Sequence, residues 1–169
     1  MSLIVLLGGA RSGKSALAQR LAGAEATLIA TARAVDSEMA ERIRRHRDER
    51  PSAWTTVEEP IDLCRALAAV APDATVVVDC LSLWTANLLE AGWTDAEVEQ
   101  EGESAAAAAA GRPGTTIVVS NEVGLGIVPV TPLGRRYRDV HGRVNASWAN
   151  AADRAVLVIA GRLLDLERV

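Results

Sequence analysis

Phenylalanine is absent from this 169-residue chain, and aromatic residues make up only 3 % of it. So thin a supply argues against a row of base-stacking platforms for single-stranded nucleic acid. An excess of positive charge is lacking too. The formal net charge is −4, which argues against a nucleic-acid-binding surface as the main function. No apolar run approaches the roughly 20 residues of a membrane helix, so no membrane span is expected. No basic stretch precedes the first apolar run, which therefore does not read as a secretory signal, and the cytoplasm is the expected compartment. The two cysteines, Cys64 and Cys80, have no metal or redox spacing and read as buried thiols. Neither of the two histidines, His46 and His141, has a ligand partner four residues away, so no zinc site is expected.

What the chain does have is a supply of core. Hydrophobic residues make up 49 % and charged residues 24 %, the balance of a globular protein, and the length suits one domain over residues 1–169. Strand-like runs fall at Leu3–Leu7, Ala26–Ala30, Thr75–Asp79, Thr115–Ser120 and Ala155–Ala160. Most are continuously apolar, as strands covered on both faces should be. Helical patterns lie between them, at Lys14–Leu21, Asp36–Asp48, Ile61–Val70, Ser82–Leu89, Asp95–Ala110 and Leu133–Ala151. This alternation predicts a three-layer α/β domain around a mostly parallel sheet, with ligands beyond the carboxyl ends of the strands. The alanine run Ala105–Ala110 favours helix but specifies little, and reads as peripheral. The glycine- and proline-rich segment Gly124–Pro132 is a long loop after a strand, where function is often carried.

The first strand runs into Gly8-Gly9-Ala10-Arg11-Ser12-Gly13-Lys14-Ser15, which fits the phosphate-binding pattern G-x-x-x-x-G-K-[ST], and a helix follows. Glycines let backbone N–H groups turn inward on a polyphosphate, and the helix N-terminus adds partial positive charge. Lys14 is placed to bridge the outer phosphates, and the Ser15 hydroxyl to hold Mg²⁺. Val76-Val77-Val78-Asp79 reads as an apolar strand ending in an acid, so Asp79 is the second candidate ligand for Mg²⁺. A nucleoside triphosphate, GTP or ATP, is the expected ligand.

Val35, Met39 and Ile43 recur every fourth residue and mark a buried helical stripe, with His46 near the same face. Arg42, Arg44, Arg45, Arg47 and Arg50 surround it, and Pro51 stops the helix. Clustered arginines attract phosphate and disfavour the imidazolium, leaving neutral His46 available as nucleophile or base. His141, on the basic segment Arg135–Arg143, reads as a surface or capping histidine. Ser120-Asn121-Glu122 follows a strand, and contact with substrate or metal and loop hydrogen bonding are equally good readings of it. Asp79 and Glu122 are candidate bases for a kinase. The residues alone leave open a histidine nucleophile attacking a nucleotide phosphorus, a plain small-molecule kinase with His46 only structural, and a GTP-binding switch. The switch is disfavoured, since no N-K-x-D follows a strand and no D-x-x-G follows Asp79.

Several stretches together carry a resemblance. They are the P-loop, Ile29-Ala30-Thr31-Ala32-Arg33, Met39 through Arg47, Val78-Asp79-Cys80-Leu81-Ser82-Leu83-Trp84, and Val119 through Pro129. In these the chain resembles the bifunctional adenosylcobinamide kinase/adenosylcobinamide-phosphate guanylyltransferase family of cobalamin biosynthesis. The resemblance implies a RecA-like P-loop fold, a homotrimer and two activities. One is phosphorylation of the aminopropanol hydroxyl of adenosylcobinamide. The other is transfer of GMP from GTP to adenosylcobinamide phosphate through a histidyl-GMP intermediate, giving adenosylcobinamide-GDP and pyrophosphate. By position the resemblance assigns that histidine to His46. It assigns nucleotide contacts to Gly8 through Ser15, to Thr31, Ala32 and Arg33, to Arg47, Asp48, Glu49 and Arg50, and to Glu58 and Asp79.

Overall fold

Alternation along each strand decides which layer of helices a side chain meets. The computed structural model describes residues 2–34, 36–48 and 51–168, apart from the side chains of Glu38, Arg42 and His46. In β1 (Ser2–Leu7), Leu3, Val5 and Leu7 enter one apolar cluster, while Ile4 and Leu6 enter another on the opposite face. β4 (Val76–Asp79) repeats the pattern, with Val76 and Val78 on the first face and Val77 on the second. β2 (Thr27–Ala30) and β5 (Thr115–Val119) divide their apolar residues the same way. With both faces covered, no strand among these has a polar side, which is why their sequences show no polar alternation.

α1 (Lys14–Ala22) covers the second face through Leu17, Ala18 and Ala22. The first face carries α3 (Leu63–Ala69), α4 (Leu81–Glu90), α5 (Asp95–Ala110) and α6 (Pro132–Ala151). Two further strands, β3 (Thr55–Glu58) and β6 (Arg154–Ile159), lie parallel to the rest, and β7 (Arg162–Leu166) returns antiparallel. The seven-stranded order is β3-β2-β4-β5-β1-β6-β7, so β5 separates the P-loop strand from the Asp79 strand. This is the expected three-layer α/β architecture around a mostly parallel sheet. Among the described residues no helix is long and apolar enough to cross a membrane.

Local chemistry sets the element ends. Asp36 Oδ1 accepts from the Met39 N–H at 2.7 Å, so α2 (Ser37–Asp48) starts one residue after the acid. Thr94 and Glu97 form a capping box on α5, and Thr131 caps α6 with Pro132 in its first turn. Two strands were not expected from sequence. β3 is a short edge strand of exposed or half-exposed, mostly polar residues, and β7 is a five-residue strand whose leucines stay exposed and are interrupted by Asp165. β7 follows β6 through a two-residue turn, Ala160-Gly161, both at positive φ as such hairpins require.

The alanine run corrects the sequence reading. Ala105, Ala106 and Ala109 are buried in the core rather than peripheral. Their small side chains, with Gly102 set against Val144, let α5 lie close to α6. Helix propensity could not show this, because Ala is helix-favouring whether buried or exposed. Leucine at buried Ala106 is expected to lower stability by about 1–3 kcal/mol through overpacking. The same change at exposed Ala107 should shift it by less than ~0.5 kcal/mol. Urea denaturation followed by circular dichroism measures both, and equal small effects would restore the peripheral reading.

Candidate functional site

β1 ends at Leu7, and the chain crosses a six-residue loop, residues 8–13, before α1 begins at Lys14. Gly8 leaves the strand against β6, where a Cβ would lie 2.3 Å from the Val158 carbonyl oxygen, so only glycine fits. Arg11 takes a left-handed backbone, at φ 56°, inside the loop. The Gly161 N–H donates to the Ser12 carbonyl at 2.8 Å, tying the loop to the β6–β7 turn. Lys14, the chain's one lysine, is buried, and its Nζ donates to the Gly8 and Gly9 carbonyls at 2.8 and 2.6 Å. Burial lowers its pKa from the ordinary lysine value, and the nearby Asp79 charge opposes that shift.

Asp79, at the carboxyl end of β4, faces the first turn of α1, and the Ser15 hydroxyl donates to its Oδ2 at 3.4 Å. Hydroxyl and carboxylate thus converge as hard oxygen donors, a fit for Mg²⁺ completed by phosphate oxygens and water. These groups line a cleft of about 520 Å³ at the carboxyl ends of the strands. Its far wall is α2, through Met39, Ala40, Ile43 and Arg47, and the end of β3, through Thr56 and Glu58. Met39 and Ile43 are only half-buried, so the stripe expected to pack into the core faces the cleft instead. Val35, its third member, lies outside the described residues, as do Glu49 and Arg50.

The expected contacts divide. Ala10 through Ser15, Ala32, Arg47, Glu58 and Asp79 line the cleft, and Arg47 donates to Glu58 Oε1 at 2.8 Å across its mouth. Gly8 and Gly9 are not among the lining residues and act as acceptors for Lys14. Thr31 is fully buried and does not line it: Oγ1 donates to the Cys80 carbonyl at 2.7 Å and accepts from the Cys80 N–H at 2.8 Å. It is a strut behind Asp79. Arg33 and Asp48 are not among the lining residues, and Asp48 lies 3.9 Å from Arg44. Arg44 also donates to Glu41 Oε1 at 2.7 Å, so one arginine of the basic helix is matched by acids of its own face. His46 is on α2, three residues after Ile43 and one before Arg47; its side chain lies outside the described residues. Cys80 is buried as expected, while Cys64 is half-buried; burial pushes both thiols up to about 11.

His141 is not a surface residue. It is wholly buried, with its ring stacked on Tyr137 at a centroid distance of 5.4 Å. Nε2 lies 3.0 Å from the Asn121 carbonyl, which can only accept, so Nε2 carries the proton. Nδ1 then accepts from the Thr85 hydroxyl at 3.0 Å. Asn121 itself lines the cleft and was left undecided by the sequence. Glu122 accepts from the Gly124 N–H at 2.5 Å and is not among the lining residues.

Residues 4–166 match the family model described as cobinamide kinase / cobinamide phosphate guanyltransferase. The chain is similar to the bifunctional adenosylcobalamin biosynthesis protein CobP of Pseudomonas aeruginosa, 42 % identical over 167 residues and 96 % of each chain. It is similar also to the bifunctional adenosylcobalamin biosynthesis protein CobU of Salmonella typhimurium, 40 % identical over 174 residues, covering 94 % of this chain and 96 % of the relative. Among solved structures, the flagellar accessory protein FlaH from Methanocaldococcus jannaschii matches with a TM-score of 0.47 and 15 % identity, over 98 % of this chain and 76 % of that one.

Burial pushes the His141 imidazole down from 6.5 to about 4, against a smaller upward pull from the Asn121 carbonyl. Because the folded value is the lower one, the unfolded chain takes up the proton first as pH falls. The resulting stability is therefore complete above pH 6.5 and lost on acidification toward pH 4. The whole window corresponds to about 3 kcal/mol. Unfolding free energies measured in urea across this range should fall more steeply for wild type than for His141→Gln. Equal slopes would show that His141 does not titrate in this way.

Proposed function

This chain belongs to the cobinamide kinase / cobinamide phosphate guanyltransferase family, and on that premise we propose that its P-loop cleft serves both reactions. The observation that carries the reading is the convergence of Lys14, Ser15 and Asp79 at the ends of adjacent elements, with α2 closing the opposite wall. In the kinase reaction the aminopropanol hydroxyl oxygen of adenosylcobinamide attacks the γ-phosphorus of a nucleoside triphosphate, ATP or GTP. The bond to the β,γ-bridging oxygen breaks, the nucleoside diphosphate leaves, and the hydroxyl proton is released. Lys14 aligns the outer phosphates, and positioning contributes most of the rate. Ser15 and Asp79 are the residues that would hold Mg²⁺, which when bound offsets phosphate charge.

In the guanylyl transfer, the His46 imidazole attacks the α-phosphorus of GTP and pyrophosphate leaves. An oxygen of adenosylcobinamide phosphate then attacks the same phosphorus. The N–P bond breaks, giving adenosylcobinamide-GDP and free His46, so one difficult displacement is divided into two. What supports His46 is its place on α2, between Ile43 and Arg47, both of which line the cleft. Arg47 and Glu58 are read as nucleotide contacts at the mouth. A homotrimer goes with this reading, as does a cytoplasmic location, whose reducing conditions suit two free thiols. The loop after β5 supports assembly: Leu125, Ile127 and Val130 are 82, 97 and 92 % exposed, an apolar patch a lone chain would leave in water.

GTP labelled at its α-phosphate is expected to leave acid-labile GMP on wild type and none on His46→Ala. Unlabelled wild type, or equal labelling of the variant, would end the histidyl-GMP mechanism. Lys14→Ala is expected to lower both activities by at least about 100-fold. Paired Ile127→Ser and Val130→Ser should shift the sedimenting species from trimer to monomer. An intact trimer would remove the loop from the interface.

A further inference from the structure

β5 lies between β1 and β4, so its carboxyl end opens between the P-loop and Asp79. The backbone there is pinned at every step. The Ser120 N–H donates to the Leu6 carbonyl at 2.9 Å, and the Asn121 N–H to Ser82 Oγ at 2.8 Å. The Asn121 carbonyl accepts from His141 Nε2 and from Asn145 Nδ2, each at 3.0 Å. The Glu122 N–H donates to the Gly8 carbonyl at 3.1 Å, and that same carbonyl receives Lys14 Nζ at 2.8 Å.

The groups that do the pinning are themselves held. Ser120 Oγ donates to Asn145 Oδ1 at 2.6 Å, and Thr85 fixes the far side of the His141 ring. Ser82, Thr85, Ser120, His141 and Asn145 are all buried polar side chains. Buried polar groups are costly unless fully satisfied, and a satisfied network fixes one geometry. The Glu122 carboxylate is engaged by the Gly124 N–H, which leaves the Asn121 carboxamide as the one unpartnered side-chain polar group of residues 120–122. That carboxamide makes no hydrogen bond among the described residues, and the residue lines the cleft. Elaborate support beneath a single unengaged polar side chain is the arrangement of a ligand-contacting group.

We propose that Asn121 is a phosphate-contacting residue: its Nδ2–H donates to an oxygen of the terminal phosphate of the bound nucleoside triphosphate, and the buried Ser120–His141–Asn145 cluster aims it. Terminal phosphate is specified because Asn121 is joined through Glu122 to the carbonyl that also holds Lys14, the residue that meets the outer phosphates. The inference rests on the nucleotide-binding reading above. Asn121 would then distinguish triphosphate from diphosphate, a distinction that Lys14 and the loop amides alone make weakly.

The test is calorimetric binding, with Mg²⁺, of a non-hydrolysable GTP analogue and of GDP to the full chain. Asn121→Ala is expected to reduce the preference for the triphosphate by about tenfold or more, as loss of a hydrogen bond to a charged group should. GDP affinity should stay unchanged. His141→Phe should reproduce the loss of preference, and His141→Gln, which keeps an N–H for the Asn121 carbonyl, should recover part of it. An unchanged preference in Asn121→Ala, or an equal fall in both affinities, overturns the contact. If His141→Phe keeps the wild-type preference, the aiming role is overturned. Should His141→Phe fail to fold, Asn121→Ala still decides, since its side chain is no part of the buried cluster. Wild type that binds neither nucleotide overturns the P-loop reading itself, a result distinguishable from the others.

Discussion

Parallel pairing in a fixed register is the constraint from which the site follows. Leu6 and Asp79 are both paired with Val119, and Ala30 with Asp79, so these residues stand level across β1, β5, β4 and β2. Everything beyond that line emerges at one edge of the sheet: the P-loop after β1, the Asn121 segment after β5, the residues after Asp79, and Thr31 after β2. A one-residue slip of β4 would turn Asp79 toward the opposite face. The two apolar clusters guard against such a slip, since each strand interior is committed to both faces.

The site also depends on what lies directly behind it. Asp79 is braced by Thr31 bonding to both backbone groups of Cys80, and the Asn87 amide holds the Thr31 carbonyl at 2.8 Å. The P-loop is gathered around the Gly8 carbonyl, on which the Lys14 ammonium and the Glu122 N–H meet. Charge at the mouth is arranged differently. Arg47 and Glu58 are exposed and paired, a contact that solvent screens and that a ligand can exchange at little cost. A rigid floor with an adaptable rim suits the proposed cleft, which would receive a nucleotide and a second, larger substrate in turn.

The architecture was largely legible because buried parallel strands write themselves as apolar runs, and the P-loop writes itself as a glycine pattern. What failed to show had physical reasons. β3 and β7 are edge elements with no buried face, and β7, though rich in leucine, owes its place to a turn rather than to burial. The alanine run was misjudged because propensity does not report packing distance. The burial of His141 is hidden in sequence because it sits in an arginine-rich segment, while its partners Thr85, Ser120 and Asn121 come from outside its own helix. Thr31 is fully buried and outside the cleft lining, where its hydroxyl supports Cys80. For the alanine run, His141 and Thr31 the decisive contact spans tens of residues, and no local pattern encodes it.

The bond from Gly161 to Ser12 joins the phosphate loop to a turn almost the whole chain away. β1 has no earlier neighbour either, since both strands that flank it, β5 and β6, lie beyond residue 114. A nascent chain therefore emerges from the ribosome with its P-loop written but unsupported, and its first strand has two unpaired edges until the last third is made. Completion of the site thus waits on pairings between distant parts of the chain, the kind of contact that makes folding slow.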